Sequence, residues 1–511
     1  MKLLAEHNTI WGNSMKTATA IAIAWLYGLA FASTGSAQQP EDWQFIPVGP
    51  PMSMLDDPQR AAPQPFFGAI QKPSAAGREI LRRSIEGIDF LGAEGFLPPD
   101  TNAAVGNDFV AETVNIHLRV WNRIVGNMVL NEPLATTFGA RSGGDPYVVY
   151  DDIADRWYIS AFDSNDTGLF LAVSHDGNPL HGFVTFHLHD PPFPAGFPDY
   201  AKLGFNKDAI FITFNNFAPG GGAAATIVAI DKLDAFAGLL TFFVSVPRFQ
   251  FRAMPPAQMH GDKQGGREWF VSTDGTDFGG TTIRVTEMTN YLSDTPNFTY
   301  TSLPVARYQN APRADQPGGS ITTFPNTTTT QVQFHRDHLV TAMASGTASD
   351  GFTYPKVLLF DVDVTTGTPV LSDEFVIDPG PGVAAQMPSV EMDRNSTLGV
   401  TWMESSASEF LSMWVATLDP ATGRLVSTVA AAGASFFQFN FRIGDYSTTV
   451  LDPDGETFWS ANEYIGDAGN VNIWRTNITS FVAGVGASAT GIAQRQAAPN
   501  LATGSDTDMG K

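Results

Sequence analysis

The sequence predicts an all-β fold, a seven-bladed β-propeller, and three observations lead there. A strand–turn–strand unit recurs along the chain, its copies are spaced as propeller blades are, and the turn-forming residues are abundant. The units are Ala103–Asn115, Val148–Ser160, Leu203–Asn216, Asp262–Asp274, Val332–Ser345, Val390–Ser405 and Thr449–Tyr464, and successive starts lie 45 to 70 residues apart. That interval suits a four-stranded blade with an enlarged loop. Among 511 residues there are 48 Gly and 34 Pro, which favour many tight turns over long helices. Six or eight blades are the alternative counts, and paired sandwiches or a β-helix the competing architectures.

Each unit places a short apolar strand before a polar turn and a second apolar or aromatic strand after it. The turns include Gly106-Asn107-Asp108, Asn206-Lys207-Asp208, Asp393-Arg394-Asn395 and Asp452-Pro453-Asp454-Gly455, all of hairpin type. Further strands fill the intervals, among them Leu169–Ser174, Thr226–Ile230, Lys356–Val362 and Met413–Leu418. A ring of such blades covers both faces of every sheet and leaves no long exposed edge.

The ends read differently. Lys16 precedes an apolar run over residues 18–32, and Gly35-Ser36-Ala37 follows with small residues. Residues 1–37 are therefore expected to be a secretory signal peptide, with Met15 as an alternative start and an uncleaved anchor as the competing reading. Residues 38–84 read as a linker or strap with a charged helical stretch near Arg78 to Arg83. The propeller is assigned to 85–483 and a flexible tail to 484–511. The expected location is secreted or periplasmic, with no membrane-spanning segment after cleavage.

The formal net charge is −23 and there is no cysteine. An acidic surface repels phosphate backbones and anionic lipid, so nucleic acid is excluded as a partner. A divalent cation or a neutral or cationic ligand is compatible with it. Disulfides, Cys-type zinc sites and thiol catalysis are ruled out.

Five motifs then stand in order: Pro98-Pro99-Asp100-Thr101-Asn102; Gly144-Asp145-Pro146 with Asp155-Arg156-Trp157; Phe197-Pro198-Asp199-Tyr200; Pro388-Ser389-Val390 with Met392-Asp393; and Gly444-Asp445-Tyr446-Ser447 with Asp452-Pro453 and Phe458-Trp459. On these the chain resembles a large family of exported bacterial β-propellers with no established reaction. That family is broadly similar to sialidase-like and BNR-repeat propellers. The resemblance implies a fold and an exported location. Asp452-Pro453-Asp454-Gly455-Glu456-Thr457-Phe458 only approximates an Asp-box, and no arginine-containing sialidase motif is present, so no sialidase catalytic residue is carried over.

In a propeller the first strand of each blade lines the channel, and the residues leading into it gather at one mouth. Those residues are Asp100, Asn102, Asp145, Asp199, Tyr200, Lys202, His260, Gln331, Gln386, Ser389, Arg442, Asp445 and Tyr446. Asp100, Asp145, Asp199 and Asp445 offer hard oxygen ligands to Ca²⁺. With Tyr200, His260 and Arg442 the same carboxylates could bind or cleave a glycan. The plain alternative is that the aspartates cap turns. His187 and His189 share a strand face but read as surface residues, and Asp163 to Gly168 reads as a plain turn. Trp121, Trp402 and Trp414 are candidate sugar platforms. Gly220-Gly221-Gly222 lacks the Lys-Ser/Thr of a phosphate loop. The expected function is binding of a glycan, peptide or envelope protein at one face of the ring. The alternative is a carbohydrate-active hydrolase or lyase, and a structural envelope component is the third reading.

Overall fold

The computed structural model describes residues 80–495 except 166, 220–222, 249–252, 262–264, 274–278, 323–325, 438–442, 467–472 and 485–490. It is an all-β propeller. Strand β1 (Leu81–Asp89) is followed by β2 (Asn102–Val105), β3 (Phe109–Val114), β4 (His117–Asn122) and β5 (Met128–Pro133), and β2 to β5 form one antiparallel meander. The meander repeats as β6 (Ser142–Asp151), β7 (Arg156–Asp163), β8 (Leu169–Ser174) and β9 (Phe183–Leu188). It repeats again as β10 (Phe197–Phe205), β11 (Ala209–Phe217), β12 (Ala223–Asp231) and β13 (Phe242–Ser245). Then β14 (Ala257–Met259) precedes the three-stranded β15 (Arg267–Thr273), β16 (Gly280–Thr289) and β17 (Asn297–Tyr308). A small hairpin, β18 (Ala314–Gln316) and β19 (Gly319–Ile321), leads to β20 (Val332–His335), β21 (His338–Ser345), β22 (Lys356–Asp363) and β23 (Val370–Ile377). Next come β24 (Val383–Met392), β25 (Leu398–Ser406), β26 (Glu409–Asp419) and β27 (Arg424–Ala431), then β28 (Thr448–Leu451), β29 (Thr457–Gly466) and β30 (Ile473–Val482). Two short strands, β31 (Gly491–Ile492) and β32 (Gln494–Arg495), end the described chain.

The first strand of each meander is innermost. β14 pairs in parallel with both β10, through Phe205 and Gln258, and β20, through Gln258 and Gln333. The inner strands thus begin at one mouth of the channel, called upper below, and end at the lower mouth. Because both faces of each sheet are covered, strands such as β8 and β25 are buried at every residue, and β8 reads as an apolar run rather than an alternating one. The core consists of apolar layers between neighbouring sheets. Trp157, Ile159 and Phe170 pack against Ala104, Phe109 and Val120 in one such layer, and Val340, Leu359, Trp402 and Leu418 share another.

Three expectations need correction. The stretch expected to be helical near Arg78 to Arg83 enters a strand from Leu81. β1 pairs antiparallel with β30, Ser84 opposite Thr479, and buries Ile85 and Ile88. The free edge of β30 overrides the helical preference of the arginines. The tail assigned from 484 is not wholly unpaired, because β31 adds to β27, β32 adds to β23, and Ala493 between them is buried. The fourth hairpin is also displaced. Its inner strand is Ala257–Met259, ahead of the expected Asp262, and a single bridge from Pro256 to Phe270 joins it to the next strand.

Candidate functional site

At the upper mouth one backbone feature recurs. Asp100 (φ 60°), Asp145 (48°), Tyr200 (58°), Ala253 (48°), Thr327 (58°), Met387 (50°) and Asp445 (78°) are all left-handed. Each sits at or just before an inner strand, and β6, β10 and β24 break register there. The kink turns the chain from the loop into the channel wall. Asp tolerates this conformation better than most residues, which accounts for aspartate at three of these positions.

The aspartates surround a lysine. Lys202 is 1 % exposed, and its Nζ lies 3.5 Å from the ring centre of Tyr200 and 3.7 Å from that of Tyr446. Burial pushes the ammonium down to about 7, while Asp145, Asp445, Asp100 and Asp199 pull it up. Nζ makes no hydrogen bond; the carboxylates act on it through space and the two rings through their π faces. Backbone contacts fix the cage. Tyr200 N–H donates to Asp145 Oδ2 (2.7 Å), the Tyr200 hydroxyl to the Asp445 carbonyl (2.9 Å), and Asp100 N–H to the Gly444 carbonyl (3.2 Å). Asn102 ties three sheets together, donating to Thr448 Oγ1 (2.9 Å) and accepting from Val148 N–H (2.7 Å). Beside it, Thr101 donates to Glu463 (2.9 Å), whose carboxyl is pushed up to about 8 by burial.

An apolar cap adjoins this cage. Leu97, Ala314, Ile321, Met387, Phe437, Ile443 and Trp474 form one cluster, and Gln316 locks the β18–β19 hairpin to Phe437 by two bonds of 2.7 and 2.6 Å. Gln386 is buried in β24 beside Met387, with neither amide atom hydrogen-bonded. Arg442 lies outside the described residues. Among the described residues no group of three or more His, Asp or Glu is arranged to hold a metal ion. The four aspartates instead bear on one buried lysine.

His260 does not join the aspartates. It follows the end of β14, and its neighbour Gln258 pairs with Phe205, six residues or about 20 Å along β10 from Asp199. It belongs to the lower mouth. There His260 Nδ1 bonds Asp152 Oδ1 (3.0 Å), and Gly261 N–H donates to Asp152 Oδ2 (3.1 Å). Glu391, 1 % exposed on β24, is pushed up to about 7 by burial, with His260 opposing. His335 is pushed down to about 4 by burial and by the nearby His260 and Arg336. Asp152, His335 and Glu391 escaped the sequence reading, although a glutamate between Val390 and Met392 in an inner strand was a usable signal.

The minor candidates settle into structure. Asp163 caps the turn through Asn165 N–H (2.9 Å) and Thr167 N–H (3.1 Å) and bonds His187 (2.9 Å). Trp121 and Trp402 are buried in the layers between sheets; they fill space rather than offer a platform.

No family model matches the chain, and no curated protein matches it. Solved structures do. Extracellular domains 1–2 of Drosophila semaphorin 1b align over 79 % of this chain and 86 % of their own, at 8 % identity and TM-score 0.37. A subtype N10 neuraminidase-like protein of a little yellow-shouldered bat isolate aligns over 68 % and 98 %, at 10 % identity and TM-score 0.35. An endo-arabinase from Bacteroides thetaiotaomicron aligns over 51 % and 88 %, at 12 % identity and TM-score 0.29. The likeness is one of fold.

Proposed function

We propose that the chain is an exported seven-bladed propeller that binds a neutral glycan at its upper face and does no chemistry with the aspartates of that mouth. The observation that carries this reading is Lys202. Cleavage of a glycosidic bond needs two carboxyls facing across an open site, whereas here four carboxylates act on one buried ammonium next to an apolar cap.

The count of seven rests on the ring of contacts. The inner strands β2, β6, β10, β14, β20, β24 and β28 each touch the next, and β28 touches β2. The left-handed residue recurs once for each of them. In this cysteine-free chain, the pair Ser84→Cys and Thr479→Cys, which face each other across β1 and β30, should oxidise to a disulfide that links the two ends. Failure to cross-link would open the ring. Export by residues 1–37 is checked by the mature N-terminus, expected near Gln38.

The glycan is placed at the rim of the upper face, where Gln309, Asn310, Pro312, Phe352 and Thr353 line a depression of about 470 Å³. None of these residues is charged. Carboxamides beside an aromatic ring suit the hydroxyls and C–H faces of a sugar. Phe352 is held at φ 62°, a conformation that costs a bulky residue about 1–2 kcal/mol, and the Arg307 guanidinium lies 5.1 Å from its ring centre. On a glycan array, Phe352→Ala should weaken retention about tenfold, which is about 1.4 kcal/mol, with no sugar released. Sugar release that disappears in Asp145→Asn would overturn the reading in favour of an enzyme.

A further inference from the structure

We infer that the lower mouth is a second binding site, one that seats a primary ammonium group between the imidazole of His260 and the carboxyl of Glu391. The inference rests on the propeller's being a binding protein but not on the rim depression, and the two are tested with different ligands.

Three sheets deliver the site. Asp152 follows β6, His260 follows β14, and Glu391 lies near the end of β24 with Asp393 just beyond it. The Asp152 carboxylate accepts a hydrogen bond from the Nδ1–H of His260, so above its raised pKa the neutral ring presents a lone pair at Nε2. That atom is buried and makes no hydrogen bond. Glu391 gives one oxygen to the N–H of Met392 (2.7 Å) and leaves Oε2 without a partner. Asp393 gives Oδ1 to Asn395 N–H and Thr397 N–H (both 2.8 Å) and leaves Oδ2 likewise. Once Glu391 is ionised and the His260 ring is neutral, the uncommitted atoms of these three residues are all acceptors.

The nearby cations are engaged elsewhere. Lys232 is paired with Asp151 and donates to the Asn206 carbonyl. Arg336 donates to the Arg394 carbonyl and to Ser396 (2.8 Å). His335 is held neutral. A ligand that completes the mouth must bring donors and positive charge together, and an ammonium brings three donors on one compact cation. A divalent ion has no ligand trio among the described residues.

Burial disfavours the protonated form of His260, but Asp152, Glu391 and Asp151 outweigh it and hold its pKa above the usual value, while burial raises that of Glu391, with His260 opposing and Asp152 and Asp393 adding to it. Glu391 holds its proton up to about 7, so ammonium binding should strengthen as pH rises past neutrality and the carboxylate forms.

The test is histidine NMR at pH 8 with methylammonium, against tetramethylammonium at equal ionic strength as the cation without N–H donors. Methylammonium should shift the His260 ring resonances and lower its apparent pKa by about half a unit or more; tetramethylammonium should not. Glu391→Gln, a near-isosteric change, should lose the response at least tenfold. Asp152→Asn serves as the second variant should that chain fail to fold. Further arms with Nα-acetyl-lysine methylamide and with glucosamine distinguish a peptide amine from an amino sugar. Equal responses to the two cations, or a methylammonium response retained in Glu391→Gln, would overturn the inference.

Discussion

The two mouths of the channel are built from the same inner strands and solve opposite problems. At the upper mouth the carboxylates of Asp100, Asp145, Asp199 and Asp445 meet an internal cation, Lys202, next to an apolar cap. At the lower mouth Asp152, Glu391 and Asp393 have no such cation among the described residues, and His260 and Asp152 stay partly exposed. One end is electrostatically complete, and the other is left with acceptors. The difference teaches that a ring of acidic residues in a propeller sequence does not by itself mark the ligand end; what matters is whether the chain supplies its own counter-ion.

Breaking the upper mouth should give the largest effect. Lys202→Met keeps most of the volume but leaves four carboxylates around an apolar chain. Below pH 7, where Lys202 is charged, removing one partner of a buried charge cluster costs about 3–5 kcal/mol, readable as a lowered denaturation midpoint. The pH dependence sharpens the claim. Lys202 keeps its proton to about 10.5 when unfolded but only to about 7 when folded. The folded state therefore gains stability as pH rises from 7 to 10.5 and loses it as pH falls from 10.5 to 7, with no further change from this group below 7. That slope, about 1.4 kcal/mol per unit at its steepest, should vanish in Lys202→Met. Added Ca²⁺ should leave the melting temperature of the wild type unchanged, with or without chelator.

The lower mouth should behave in the opposite sense. Glu391 has its folded pKa raised to about 7 from 4.5. Its contribution is fully present below 4.5 and is lost as pH rises through 7. Glu391→Gln should match the wild type at pH 4 and exceed its stability by about 3 kcal/mol at pH 8. Urea titrations at the two pH values provide the comparison. A variant less stable than the wild type at pH 8 would mean that the carboxylate is already satisfied inside the fold.

Much of the ring was legible because hairpin turns announce themselves through Asp, Asn and Gly, and because doubly covered strands read as apolar runs. The convergence of Asp100, Asp145, Asp199, Tyr200, Lys202, Asp445 and Tyr446 was legible from strand order alone. Three things were not. The pairing of β1 with β30 joins residues nearly 400 positions apart, and local propensity carries no trace of it. The placement of His260 failed because Ala257–Met259 is too short and too plain to be read as an inner strand, so the histidine was counted at the wrong end. The seven-fold kink is a backbone repeat with no residue repeat: Asp, Asp, Tyr, Ala, Thr, Met and Asp share a φ sign and little else.

That kink supplies the smallest and cleanest prediction. Ala253 is buried, lies at φ 48°, and receives its local support from the backbone, its N–H donating to Asn215 Oδ1 at 3.1 Å. A left-handed alanine costs about 1–2 kcal/mol relative to a right-handed one, and glycine removes that cost while adding backbone entropy to the unfolded chain. The two terms nearly cancel in ordinary turns, but here the methyl group is the only side-chain material lost. Ala253→Gly should therefore raise stability by about 0.5–1 kcal/mol and leave both mouths unchanged. The same change at Asp445 removes a carboxylate from the Lys202 cage and should destabilise despite relieving a φ of 78°. If both substitutions moved stability in the same direction, the kink would be governed by backbone strain alone, and the charge cluster would not be what holds the upper mouth closed.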